Sequence, residues 1–160
     1  DGNVMPRDES IDPLAQLERC HRRLEEACTA LTAAIEKHDI ETVSDVASFF
    51  ARQIKRHEDD EDASLFPRLG ADLAADLARL GEEHIAHATL HHRLDDALTG
   101  RLDASLDMWK ELGTVAAELV RSYAAHIALE ESRIFPAARA SLSADDLAAM
   151  RTEMDARRGR

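Results

Sequence analysis

The chain has 160 residues and a mass of 17.7 kDa, enough for one domain with a sizeable core and too little for two. It carries 32 acidic residues against 20 basic ones, a formal net charge of −12, and so lacks the positive footprint that nucleic acid or an anionic membrane requires of a partner. Few aromatics, six glycines and an excess of Ala, Leu, Glu and Arg argue against a sandwich or barrel and for helices. No run reaches the roughly 18–20 apolar residues that cross a bilayer, and no basic-then-apolar leader is visible. Against this plain background stand eight histidines.

Apolar positions recur at spacings of three and four, the pattern of long helices packed at shallow angles. The first stripe is Leu14, Leu17, His21, Leu24, Cys28, Leu31, Ile35, with Asp12 as N-cap and Pro13 in the first turn. The second, Val43, Val46, Phe50, Ile54, His57, Glu61, Leu65, is expected to stop before Pro67. The third, Leu73, Leu77, Leu80, His84, His87, His91, Leu94, Leu98, ends at Gly100, with an interruption expected at Gly81. The fourth, Trp109, Leu112, Ala116, Leu119, Tyr123, His126, Glu130, Ile134, is expected to stop before Pro136. Ser143-Ala-Asp-Asp146 resembles a capping box and opens a short C-terminal helix over about 143–157. Short connections around 38–40, 67–72 and 99–104 suit an all-α, up-down-up-down four-helix bundle, a single domain over 1–160 with its core in 12–139. The charged residues between stripe positions read as solvated faces.

Cys20 and Cys28 lie eight apart on the first helix, about 12 Å along its axis, too far to bond to each other. Two unpaired thiols fit a reducing cytoplasm.

His21, His57, Glu61, His84, His87, His91, His126 and Glu130 occupy positions that the stripes assign to the core, whereas His38 and His92 fall outside them. A buried carboxylate costs several kcal/mol unless paired or metal-bound, and no Lys or Arg lies on the stripes to pair with Glu61 or Glu130. The second and fourth helices also repeat each other. His57-x-x-x-Glu61 and His126-x-x-x-Glu130 both run into Phe-Pro at the same offset, and each is preceded by a helix bearing a histidine, His21 or His84. Two hairpins of this kind, facing each other, place two carboxylates between two imidazole clusters, the natural arrangement for two bridged metals. Counting from the second turn puts His57 level with His84 to within about 4 Å, and His87 and His91 progressively off level. The same count across the third turn fits poorly and requires a longer or irregular connection before His126.

This combination resembles the hemerythrin-like family of HHE cation-binding domains, over roughly residues 14–139. The resemblance implies a four-helix bundle around a di-iron centre with an oxo or hydroxo bridge. His21, His57, His84 and His126 then look like terminal ligands, and Glu61 and Glu130 like bridging carboxylates. Oxygen-carrying members add a third-helix histidine four residues after the first, where this chain has Ala88, so reversible oxygen transport is put in doubt. Some relatives use the residue after the second-helix histidine, here Glu58. Ligation by Glu58, His87 or His91 stays open, and Tyr123 reads as a core aromatic close to the site.

The expected function is that of a non-haem di-iron protein that binds, senses or reacts with oxygen, peroxide or nitric oxide. Imidazole with carboxylate also suits zinc and manganese. The alternative is a non-enzymatic, iron-sensing or zinc-loaded helical module. If the protein is an enzyme, a peroxide- or nitric-oxide-directed oxidoreductase fits best, because no general base beside an organic-substrate pocket is evident.

Overall fold

A computed structural model describes residues 12–101 and 107–160. Among these, every regular element is helical and no strand occurs. Helix α1 spans Pro13–Glu36, opened by Asp12, whose side chain accepts from the Ala15 N–H at 2.8 Å. The second stretch comprises α2 (Ile40–Phe49), a π-helical turn (Phe50–Ile54), α3 (Lys55–Asp60) and a second π turn (Glu61–Leu65). Short 3-10 turns over Phe66–Arg68 and Ala71–Leu73 lead into α4 (Ala74–Leu98), which runs through Gly81 without the expected break. Gly100, at φ 74°, follows its end in the left-handed region that glycine favours. Part of the connection expected at 99–104 lies outside the described residues. Helix α5 (Met108–Leu129) continues through a third π turn (Glu130–Ile134) into α6 (Phe135–Ser141). The fourth stretch therefore does not stop before Pro136. The proline sits in the first turn of α6, where its missing N–H costs nothing. Helix α7 (Ala144–Arg157) carries the anticipated capping box between Ser143 and Asp146.

The long helices pack in a bundle-like ring, α1 on α2, α2 on α4, α4 on α5 and α5 on α1. Its interior is layered. One apolar cluster contains Leu24, Leu31, Phe50, Ile54, Leu94 and Leu119, and a second contains Leu14, Leu17, Leu65, Leu80, Ile134 and Phe135. Between them each long stretch presents its polar stripe residues: His21 on α1, His57 and Glu61, His84 and His87 on α4, His126 and Glu130. Methyl-rich layers above and below exclude water from this band and make each unpaired charge in it costly.

The reading of the inter-stripe charges as solvated fails at Glu58 and Asp60, both buried. Asp60 is fully enclosed by α7. It accepts from Arg157 Nη1 at 3.0 Å and from Arg158 Nη2 at 2.7 Å. One turn on, the buried Ser64 hydroxyl accepts from Arg157 and donates to Glu153, which is in turn held by Arg68. The C-terminal helix thus grips the segment that carries Glu61 through charge-assisted hydrogen bonds, in addition to seating Met150 and Met154 in the core.

Candidate metal centre

Each His-x-x-x-Glu unit spans one helical turn, so imidazole and carboxylate leave the same face. His57 Nε2 lies 3.1 Å from Glu61 Oε1, and His126 Nε2 lies 2.8 Å from Glu130 Oε1. The partner histidines arrive from the neighbouring helices, His84 Nε2 at 3.5 Å from Glu61 and His21 Nε2 at 3.5 Å from Glu130. His84 and His126 approach each other at 3.2 Å between Nε2 atoms, so the misfit counted across the third turn is absent. The connection from Leu98 to Met108 is longer than the one assumed in that count. All six expected residues therefore converge. Two groups form, His21, His57, Glu61 and Glu130 on one side and Glu61, His84 and His126 on the other, with ligand-type atoms in each within 4.8 Å of one another.

Glu61 and Glu130 are fully buried, and none of their four carboxylate oxygens has a hydrogen bond. A polar atom in that state is costly, so it calls for a partner. A metal cation could supply one, and the donor set of imidazole with carboxylate fits iron, manganese or zinc.

The protonation pattern shows what balances the charge without metal. Burial lowers the affinity of His57 for its proton, but Glu61 and the Cys20 thiol together outweigh it and hold His57 well above the usual histidine range. Burial likewise acts against His84, yet the hydrogen bond to Asp62 and the nearby charge of Glu61 push it up to about 10. Glu61 is in turn held well below the carboxylate range by these two histidines, despite its own burial. Burial pulls His126 down to about 3, and burial with the nearby His57 lowers His21. Glu61 thus sits between two imidazoles that hold a proton more tightly than usual, and Glu130 between two that hold it less tightly.

The outer atoms of three rings face carboxylates. His84 Nδ1 donates to Asp62 at 2.9 Å, and His21 Nδ1 donates to Glu131 at 3.1 Å, with Glu131 also gripped by Arg22. His126 Nδ1 lies 3.7 Å from Glu83. These acids escaped the sequence reading because they sit one residue off the stripes. Their signal was adjacency, since Asp62 and Glu131 each directly follow a stripe glutamate.

The remaining histidines separate cleanly. His87 is fully buried with both nitrogens engaged, Nδ1 with Glu58 at 3.1 Å and Nε2 with Ser122 at 2.8 Å. His91 stacks on Phe50 and hydrogen-bonds the Tyr123 hydroxyl at 2.6 Å, and burial holds it down to about 4. Tyr123 is therefore a core aromatic with its hydroxyl satisfied. His38 and His92 are exposed, His38 stacked on Trp109. Cys20 and Cys28 are both free and buried, and burial pushes the Cys28 thiol up to about 11.

The profile of the hemerythrin HHE cation-binding domain matches residues 12–156. The chain belongs to this family. It is also 31% identical over 160 residues to an uncharacterized protein of Haemophilus influenzae, covering 92% of this chain and 90% of that one. The protein is an HHE cation-binding domain whose two buried His/Glu clusters could hold a metal ion.

Proposed function

We propose that this HHE domain holds two iron ions, one on His21 and His57 and one on His84 and His126, with Glu61 and Glu130 shared between them. The observation that carries this is the pair of fully buried carboxylates with no hydrogen bond to any oxygen, each set between imidazoles. Bound iron would supply Lewis acidity and one-electron chemistry toward a small oxidant such as oxygen, peroxide or nitric oxide. The chain's own residues orient and insulate. Asp62 and Glu131 fix the ring planes of His84 and His21, and such outer contacts raise the basicity of a ligand histidine. Glu58 and Ser122 hold His87 as a wall beside His84 and His126.

A gap of about 180 Å³ between α3 and α4 reaches His84 and is flanked by Ala88, the position at which oxygen carriers have their additional histidine. The alternating order in which the four long stretches cross the two apolar layers supports an up-down-up-down bundle. No described helix is long and apolar enough to cross a membrane, and the two free thiols support a cytoplasmic setting.

Metal analysis with an ultraviolet–visible spectrum tests this reading. Two irons per chain with near-ultraviolet charge-transfer absorption are expected, and both should be lost in a Glu61→Gln, Glu130→Gln variant. Zinc with a featureless spectrum would favour the non-enzymatic module instead, and retention of two irons by the variant would overturn the bridging roles.

A further inference from the structure

His57 differs from the other three histidines of the centre. His84 and His21 hydrogen-bond Asp62 and Glu131 through Nδ1, and His126 Nδ1 faces Glu83 at 3.7 Å without a hydrogen bond. With Nε2 directed at Glu61, His57 turns Nδ1 the other way, where no carboxylate stands; the Cys20 thiol interacts with this ring, but no hydrogen bond of standard geometry satisfies the buried Nδ1. A neutral ring that ligates a metal through Nε2, or an imidazolium that donates to Glu61 through it, carries a proton on Nδ1, and this N–H then lacks a carboxylate acceptor.

The space on that side is a cavity of about 280 Å³ whose wall contains no carboxylate side chain. It is lined by His57 and Cys20 together with Arg23, Arg56, Arg158 and Arg160. Arg158 is committed to Asp60, and Arg160 lies 4.0 Å from Asp155. Arg23 and Arg56 have no ion-pair partner among the described residues. In a chain of net charge −12, a pocket that gathers four guanidiniums and ends on a stranded N–H is complementary to an anion.

We infer that this cavity binds a small oxyanion, of the phosphate or sulfate class, which accepts from His57 Nδ1 and takes the place of the carboxylate that the other three histidines have within the chain. Arg23 and Arg56 hold the anion, and Arg158 and Arg160 close the wall from the C-terminal end. The anion then acts as an outer-sphere partner of a metal ligand, so anion and metal bind with positive, reciprocal coupling. This rests on the reading of His57 as a ligand, but its first test needs no metal.

In calorimetric titration of the metal-free chain, sulfate and phosphate should each bind saturably at one site, against a sodium chloride control of equal ionic strength. The ¹⁵N resonance of His57 Nδ1 should move with saturation. In an Arg23→Gln, Arg56→Gln variant, both residues being exposed, sulfate affinity should fall by at least about tenfold. A Gln53→Glu variant, which brings a carboxylate to the cavity wall, should also reject sulfate. In a second arm, sulfate should raise zinc affinity by about 10–100-fold in the wild type, the range for outer-shell partners, and have no such effect in either variant. No saturable sulfate binding, or binding undiminished in both variants, overturns the site. Sulfate binding with zinc affinity indifferent to it overturns the coupling to His57. Sulfate binding in a chain that takes up no metal would instead overturn the metal centre and leave the anion site standing.

Discussion

Asp59 and Asp60 are identical neighbours in the sequence, and the structure gives them opposite weights. Asp60→Asn preserves shape and removes the charge. The native carboxylate is fully buried and accepts at 3.0 Å from Arg157 and at 3.3 and 2.7 Å from Arg158. Removing one partner of a buried ion pair costs about 3–5 kcal/mol, because the other charge is stranded. The side chains of Arg157 and Arg158 keep 25% and 14% of their exposure to water, so the cost falls at the low end, about 3 kcal/mol. At an unfolding entropy of about 2.1 cal/mol/K per residue, 160 residues translate this into a Tm lower by about 9 °C. Asp59→Asn instead breaks a pair with Lys55 at 2.8 Å whose side chains are 48% and 66% exposed. That contact is worth less than about 0.5 kcal/mol, or about 1.5 °C. Calorimetric melts of the metal-free proteins make the comparison, and Arg158→Gln should cost less in the Asp60→Asn background than alone. If Asp60→Asn melts within about 2 °C of wild type, or no lower than Asp59→Asn, the α7 clamp is not the buried ion pair described here.

Four further outcomes follow from the same geometry. His57 and His84 are raised in the metal-free fold, His84 to about 10. Their contribution is complete below the unfolded histidine pKa of about 6.5 and is lost as pH rises through the folded values, so metal-free Tm should fall between pH 7 and 10. Ligation requires each ring without that proton, so the affinity for each ion should rise across pH 6–8 with a slope near one decade per pH unit, about one proton being displaced per ion; calorimetry in buffers of differing ionisation enthalpy counts the protons. Tyr123→Phe leaves Nε2 of the half-buried His91 without its partner and should cost about 1 kcal/mol in chemical denaturation with metal stoichiometry unchanged. Arg68 and Ser64 hold Glu153 down to about 2; its contribution is present above the unfolded value and is lost as pH falls toward the folded one, so Glu153→Gln should flatten the acid limb of the Tm profile between pH 5 and 3.

The six central residues were legible because burial periodicity and chemistry conflict only there. Histidines and glutamates occupy core positions, and a duplicated His-x-x-x-Glu with Phe-Pro makes the conflict a repeat. The outer partners were not legible, because Asp62, Glu83 and Glu131 fall on faces that periodicity assigns to solvent. Asp60 was hidden for another reason. It is buried only because α7 folds back over α3 and the second π turn, a contact between positions nearly a hundred residues apart that no local pattern encodes. His87 and His91 could be weighed by height along the helix but not assigned, since their partners Glu58, Ser122 and Tyr123 come from other helices.

The Phe-Pro signature had no mechanism as sequence, and the π turns provide one. In a regular helix a spacing of four overshoots a turn by about 40°, so stripes alternate threes and fours to stay on one face. Two successive fours would carry a residue off the face. They occur three times in the long stripes, at Val46-Phe50-Ile54, His57-Glu61-Leu65 and His126-Glu130-Ile134. Each coincides with a π turn, over Phe50–Ile54, Glu61–Leu65 and Glu130–Ile134. The wider turn absorbs the overshoot and keeps Leu65 and Ile134 in the core beyond the glutamates. In the two metal-side turns the bond is closed by Phe66 N–H to the Glu61 carbonyl and by Phe135 N–H to the Glu130 carbonyl. The next residue, Pro67 or Pro136, has no N–H to offer a carbonyl four residues back and would clash with it in a regular helix. Proline after phenylalanine therefore disfavours the regular alternative at the same step at which each glutamate must be aimed inward. The two carboxylates are set by the backbone irregularity they begin, and the repeated Phe-Pro is the part of that device visible in the chain.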